Sequence, residues 1–207
     1  MAEIQAVLAE AGKAKSSSAA VKLRTFADGR LAVVMTGRMN LSRPPSSRLQ
    51  LRISPLSGQK ARIIDEIRTP QALYVRGRTG SRQAAGRWQR LPDSAQGENL
   101  GVPNVTRYAQ LLLKAGPSAV KQQKSINGAP ATLLSGRIEA DQIKKIEPSL
   151  YDRLRASGVD DFACDIWVDR KGRVVRFDQW LMLKGTSGHN VLTFTKFQGK
   201  MTVRPPI

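Results

Sequence analysis

Apolar residues recur at every second position through most of this chain, and that period admits little besides a long β-sheet. Val21, Leu23 and Thr25 oppose Lys22, Arg24 and Phe26, and Asp28-Gly29 then supplies a hairpin turn. The alternation returns from Leu31 to Met39, is broken at Arg43-Pro44-Pro45-Ser46, and resumes cleanly from Arg48 to Ser54. Ser57-Gly58 and Thr69-Pro70 turn the chain into Lys60–Arg68 and Ala72–Arg76, and the Gly- and Arg-rich stretch from Gly77 to Gly86 reads as a loop before a short strand around Trp88. Strands follow near Val120 and from Ala131 to Ile138, joined across Asn127-Gly128. Three more close the chain at Phe162–Val168, Arg173–Leu183 and Asn190–Phe197.

Helical spacing interrupts this pattern in three places, near residues 3–12, 104–115 and 141–157. Ile4, Val7, Leu8 and Ala11 form the first stripe, ended by Gly12. Val105, Tyr108, Ala109 and Leu112 form the second, after Pro103 and before Gly116-Pro117, with Arg107, Gln110 and Lys114 on the opposite face. Pro148 divides the third region, whose second half carries Leu150 and Leu154 and ends at Gly158. No linker or repeat divides the chain, so residues 1–207 read as one domain. The expected fold class is α+β: a strongly curved antiparallel sheet with the helices packed on its concave face. A sheet this long has one apolar face to bury and about three helices to cover it, so the pattern permits an apolar cavity without requiring one.

The chemistry the chain can carry is narrow. Among 207 residues there is one Cys, Cys164, and one His, His189, which excludes a disulfide framework, cysteine-rich zinc sites and histidine metal clusters. Nucleophilic catalysis would need His189 as its base. Cys164 in an alternating strand reads as an inert small side chain, and His189, after Gly188, as a solvent-exposed turn residue. Asp160, Asp161 and Asp165 lack calcium-loop spacing and read as a solvated turn. No catalytic residue, metal site or cofactor is expected. No apolar run approaches the ~20 residues of a membrane-spanning helix.

The net charge is +18, and it is uneven: residues 1–90 carry 17 basic against 5 acidic side chains. The arginines come singly, every few residues. Arg48 and Arg52, with Gln50 between them, form the polar phase of a strand, and Arg62 follows on the next. Such a surface either keeps the protein soluble or docks on phosphate, and Arg48, Arg52 and Arg62 are the candidates for contact with an anionic membrane surface. No zinc finger, aromatic RNA-binding strand or helix-turn-helix is legible, so specific nucleic-acid recognition is not expected.

The C-terminal third reads Trp167-Val168-Asp169-Arg170-Lys171-Gly172-Arg173-Val174-Val175-Arg176-Phe177. A polar strand follows, then Thr193 to Phe197, and then Gly199-Lys200-Met201-Thr202-Val203-Arg204-Pro205-Pro206. This hairpin and ending resemble the LppX/LprG group of actinobacterial lipoproteins, which are similar in turn to the LolA-type lipoprotein carriers. Tyr74, Trp88 and Gly136 fit the same plan. The resemblance implies a half-open β-barrel with helices inside its concave face. It also implies a non-enzymatic carrier that binds a lipid, a glycolipid or a lipidated protein in a hydrophobic cavity at the bacterial cell envelope. Members are secreted and anchored through an acylated N-terminal Cys. Here Met1 precedes the first helix, so either the sequence begins after that Cys or this member lacks the anchor.

The cavity wall is expected from one phase of the strands and the helix stripes: Leu49, Leu51, Ile53, Ile63, Leu73, Val75, Leu112, Leu133, Val175 and Phe177. Trp167 reads as a packing residue of its hairpin, and Asp169 to Gly172 as the turn. Met35, Met39, Met182 and Met201 suit either a core or a cavity that accepts varied chains. A protein-interaction or envelope-sensing module on the same fold, with no transported ligand, is the alternative function.

Overall fold

The computed structural model describes residues 17–41, 46–55, 60–79, 86–91 and 102–206. The expected helix over residues 3–12 and the turns at Pro44-Pro45 and Ser57-Gly58 lie outside them. Eleven strands run in the order β6-β5-β4-β3-β2-β1-β11-β10-β9-β8-β7 as one antiparallel sheet that does not close. They are β1 (Ser17–Ala27), β2 (Arg30–Asn40), β3 (Ser47–Ile53), β4 (Arg62–Arg68), β5 (Leu73–Thr79), β6 (Gln89–Leu91), β7 (Val120–Ile126), β8 (Ala129–Glu139), β9 (Asp161–Asp169), β10 (Val174–Leu183) and β11 (Thr186–Gly199). Three α-helices are described, α1 (Val105–Lys114), α2 (Ala140–Ile143) and α3 (Pro148–Ala156), with a short 3-10 helix at Pro117–Ala119. Pro148 does divide the last region, standing in the first turn of α3. The α+β antiparallel class expected from the alternation is the class observed.

Three hairpins are set by paired residues with positive φ: Asp28-Gly29, Asn127-Gly128 and Lys184-Gly185. These are the turns whose twist matches that of the flanking strands. Sequence reading identifies the first two from Asp-Gly and Asn-Gly. It misses Lys184-Gly185, because Lys is a poor marker of left-handed backbone, and so it starts the last strand at Asn190 where β11 begins at Thr186. His189 is therefore a strand residue and not a turn residue. The loop expected from Gly77 also starts late, since Gly77 to Thr79 still belong to β5.

Contacts divide the chain into two compact units, and β11 contributes to both. One unit holds α1 to α3, β7 to β10 and the first part of β11. Asn104 caps α1 by accepting from the Arg107 N–H, and its own N–H donates to Glu147 Oε1 at 2.8 Å. The apolar stripe of α1 then lies directly on the strands: Tyr108 stacks on Phe177 at 5.5 Å and meets Phe162 edge-on at 5.9 Å. The three aromatics are fully buried with Leu112, Ile138 and Ile166. Gly136 lets α1 approach, because a Cβ there would sit 3.0 Å from Leu112 Cδ2. Asp169 organises the Trp-Val-Asp hairpin as expected, accepting from the Lys171 and Arg173 N–H groups at 2.9 Å each.

The other unit holds β1 to β6, the last residues of β11 and the tail. Asn40, buried, fixes the tail with two bonds of 2.9 Å: its Nδ2 donates to the Met201 carbonyl and its Oδ1 accepts from the Met201 N–H. Strand register decides the rest. Residues directly opposite in an antiparallel pair share a face.

Candidate functional site

The two faces of β2 to β5 in the second unit are chemically opposite. On one face the registered rows are Val33–Ile53–Arg62–Thr79, Met35–Leu51–Ile64–Gly77, Gly37–Leu49–Glu66–Val75 and Met39–Ser47–Arg68–Leu73. On the other they are Val34–Arg52–Ile63–Arg78, Thr36–Gln50–Asp65–Arg76 and Arg38–Arg48–Ile67–Tyr74. The middle rows of the first face are apolar except for Glu66; the second carries five arginines, one acid and the buried Ile63, Ile67 and Tyr74.

Burial along the apolar face is graded. Val33, Leu51, Ile53, Ile64 and Val75 are only half-buried, whereas Met35, Leu49 and Leu73 are buried. Gly77, in register with Ile64, is exposed, and a Cβ built on it meets no described residue within 4 Å. At the same strand ends an open cavity of about 530 Å³ is lined by Arg62, Ile63, Ile64, Gly77, Arg78, Thr79 and Gly86. That volume lies within the range of small-molecule sites. The opposite end of the face carries Glu66, Arg68 and Ser47, all buried. Burial pushes the Glu66 carboxyl above its ordinary value, and Arg68 and Ser47 only partly oppose it.

On the cationic face Arg48 and Arg52 are exposed. Between their strands and β5, Asp65 accepts from Gln50 at 2.8 Å and from Arg76 at 2.9 Å. Burial works against the Asp65 charge. The two hydrogen bonds and the nearby Arg76 and Arg78 outweigh it and hold the carboxyl below the usual range. Arg76 also lies over the Trp88 ring at 4.6 Å. Ile67, Ala72 and Tyr74 form a small core there with Trp88 and Val203 packed against it.

The structure brings five expected wall residues together: Leu49, Leu51, Ile53, Leu73 and Val75 share the apolar face. Ile63 stands on the opposite face between Arg52 and Arg78, and Arg62 stands apart from Arg48 and Arg52 for the same reason. Leu112 and Phe177 belong to the packed core beneath α1 in the other unit. Leu133 registers with Trp167 and Arg176, on the face away from Phe177, and Val175 occupies the bulge between Val174 and Arg176. Sequence reading does not single out Ile64, Glu66, Arg68 or Gly77. The adjacent pair Ile63-Ile64 hides the phase of β4, and only the register with Leu51 reveals it.

The remaining reactive side chains are occupied. Cys164 is buried, and burial followed by the charge of Asp165 pushes its thiol up to about 12. Asp160 pairs with Arg155 at 2.7 Å and Asp161 with Arg137. His189 is half-buried, with Nε2 3.2 Å from Asp178 Oδ1 and its ring stacked on Trp180 at 4.8 Å. Sequence reading places it in solvent; the longer β11 carries it onto the sheet beside Asp178. Among the described residues no cluster of three or more His, Cys, Asp or Glu is placed to hold a metal, and no helix is long and apolar enough to cross a membrane.

Comparison with solved structures places this fold. LprF from Mycobacterium bovis superposes with a TM-score of 0.58 at 14% identity, over 100% of this chain and 98% of that one. The lipoprotein LppX from Mycobacterium tuberculosis superposes with a TM-score of 0.53 at 16% identity, over 97% and 99%. The chain has the LppX-like fold. The resemblance expected from the Trp167–Phe177 hairpin thus holds at the level of fold along the whole chain. No protein-family model matches the sequence, and no curated protein matches it.

Proposed function

We propose that this protein is a non-enzymatic binding and transport protein for a lipid or acylated molecule at the bacterial cell envelope. The observation that carries the reading is the half-buried apolar row of Leu51 and Ile64 leading to the open cavity that Ile64 and Gly77 line, on a sheet face backed by arginines. Half-buried aliphatic side chains beside an open cavity gain free energy when a chain covers them, about 0.8 kcal/mol per methylene removed from water. Such a surface needs no catalytic group, and a Cys164 thiol held protonated at neutral pH is no nucleophile. Leu49, Leu51, Ile53, Leu73, Val75 and Ile64 form the wall in this reading. Arg62 and Arg78 at the cavity suit an anionic headgroup. Arg48 and Arg52 suit the anionic surface from which cargo is taken, and the fold shared with LppX supports an extracytoplasmic place beside it.

A second reading, an interaction or envelope-sensing module with no cargo, is favoured by Trp180 and Met182. They are 41% and 52% exposed on the same face of β10. Organic extraction of the purified protein with mass spectrometry, together with titration of a fluorescent fatty-acyl probe, separates the two. A co-purifying acyl lipid and saturable probe binding are expected. A protein that yields no lipid and binds no probe refutes the carrier and leaves the interaction module.

A further inference from the structure

In the second unit, two polar side-chain atoms are buried with no hydrogen-bond partner among the described residues: Glu66 Oε2 and Arg78 Nε. Glu66 is sealed in a buried row of β4. Arg78 instead lines the open cavity at the ends of β4 and β5. Its neighbours show how this protein spends a guanidinium on structure. Arg76, Arg137, Arg173 and Arg176 each donate from Nε to a carboxylate, those of Asp65, Asp161, Asp169 and Asp178. Arg78 makes no such bond. Asp65 lies within its electrostatic reach, but one oxygen of that carboxylate accepts from Gln50 and the other from Arg76. Arg62, exposed on the paired strand, lines the same cavity, and neither arginine has an ion-pair partner among the described residues.

The rest of the lining is as one-sided. No carboxylate is among the described residues that form it. The Gly77 carbonyl already accepts from the Gly86 N–H at 3.0 Å, so the polar side chains left to the cavity are two guanidiniums and the Thr79 hydroxyl. Arg62 belongs to the row of Thr79, on the apolar face, and Arg78 to the row of Ile63, on the cationic face. Both reach one cavity because it lies where the described sheet ends: β6 pairs only with Leu73 to Val75.

We propose that this cavity is a phosphate-binding site, in which the Arg62 and Arg78 guanidiniums clamp one phosphate group with the Thr79 hydroxyl beside them. Two cations with no internal acid match a group that carries close to two negative charges, where a carboxylate carries one. Two planar forks arriving from opposite faces suit a tetrahedral anion, whose oxygens serve both at once; a planar carboxylate fills one fork. The cavity, at about 530 Å³, holds more than the anion alone, and Ile63 and Ile64 line the remainder. The phosphate is therefore either free or an ester of an apolar group. The site goes beyond the carrier reading and does not depend on it, since it would stand in a protein that carried no acyl chain.

Calorimetric titration of the full chain with inorganic phosphate, against chloride at matched ionic strength, tests this. Arg78→Gln and Arg62→Gln are each expected to weaken phosphate binding about tenfold or more. The double variant Arg48→Gln/Arg52→Gln removes two charges outside the cavity and is expected to bind within threefold of the parent. Arg78→Lys keeps the charge without the fork; it is expected to weaken binding less than Arg78→Gln, and it serves if that variant does not fold. Dihexanoyl phosphatidate and dihexanoylglycerol then separate the two sources. Phosphatidate that displaces phosphate and binds at least tenfold tighter identifies an ester, and phosphatidate no tighter than the inorganic ion identifies the free anion; dihexanoylglycerol should displace phosphate in neither case. A parent that binds no phosphate, or an Arg48→Gln/Arg52→Gln loss equal to that of Arg78→Gln, overturns the site, the second outcome because it reduces binding to the general positive field. Fatty-acyl probe binding measured on the same proteins reports the carrier reading separately.

Discussion

Gly77→Leu is the sharpest perturbation of the apolar face. The residue is exposed, sits in a strand opposite Ile64, and offers a Cβ no neighbour among the described residues within 4 Å. A Leu there enters space that no described residue fills. The fold loses nothing, and replacing a strand glycine removes an entropic penalty of roughly 0.5–1 kcal/mol. In a chain of this size that is a rise of about 2–4 °C in Tm per kcal/mol. A bound chain, by contrast, must give up the surface that the new side chain covers. If Leu displaces about three methylenes at about 0.8 kcal/mol each, binding weakens by roughly 2.4 kcal/mol, or about 50-fold in Kd. Equilibrium titration of the fluorescent acyl probe, with thermal melts run in parallel, reads both effects. A Gly77→Leu protein that melts at or above the parent and binds within threefold of it would show that no chain runs over Gly77, and the site would have to be sought elsewhere.

Gly37 should be the least replaceable residue of the same face: a Cβ there would stand 2.2 Å from the Arg48 carbonyl oxygen, so Gly37→Ala must push β2 and β3 apart. The expected loss exceeds the ~1–3 kcal/mol usual for overpacking, and a urea midpoint equal to the parent's would contradict it. Reversing Arg48 and Arg52 to Glu should weaken binding to anionic vesicles roughly 30-fold at about 1 kcal/mol per basic residue, with the difference vanishing at high salt. Arg62→Glu, on the other face, should change vesicle binding far less, and equal effects would refute the facial assignment. Glu66 predicts a pH dependence. Because its folded value is raised, the folded state binds the proton more tightly, and stability falls as pH rises from the ordinary value of 4.5 through the raised one. Glu66→Gln removes that fall, so its stability relative to the parent should be greater at neutral pH than at pH 4; a constant difference argues against a desolvated carboxyl. Finally, we propose that the chain is a single domain, since β11 runs through both compact units, and a single calorimetric transition is expected where two separated ones would refute it.

Sequence legibility tracked how local the physics is. Period-two alternation and Asx-Gly turns mark nearly every strand, because each strand must present one face to a core and each tight hairpin needs left-handed backbone. The α1 stripe of Val105, Tyr108, Ala109 and Leu112 is equally plain, and all four are buried. The Lys184-Gly185 turn was not, and with it went the start of β11 and the environment of His189. There the long-range pairing Trp180↔His189 and Met182↔Ser187 imposes a hairpin that the residue types only weakly favour. Tertiary pairing overrode propensity at that point.

The candidate site was less legible, for a specific reason. A strand's phase can be read only where one phase is polar, and Ile63-Ile64 is apolar in both. Choosing Ile63 follows the alternation of β4 alone, whereas pairing with Arg52-Leu51 of β3 turns Ile64 to the apolar face and Ile63 to the arginines. Once the phase is fixed, Glu66 and Arg68 follow onto the apolar side, where a charge-bearing residue contradicts the pattern. Reading by pattern treats such residues as evidence against a face, yet a sheet that only had to bury itself would gain from two more aliphatics there. Among the described residues of the apolar face, the free carboxylate oxygen stands where packing alone would not put it, and Gly77 leaves open what a larger side chain would close. Both departures lie on β4 and its partner β5 within one row of each other. In the carrier reading proposed above, that row is where the acyl chain would lie.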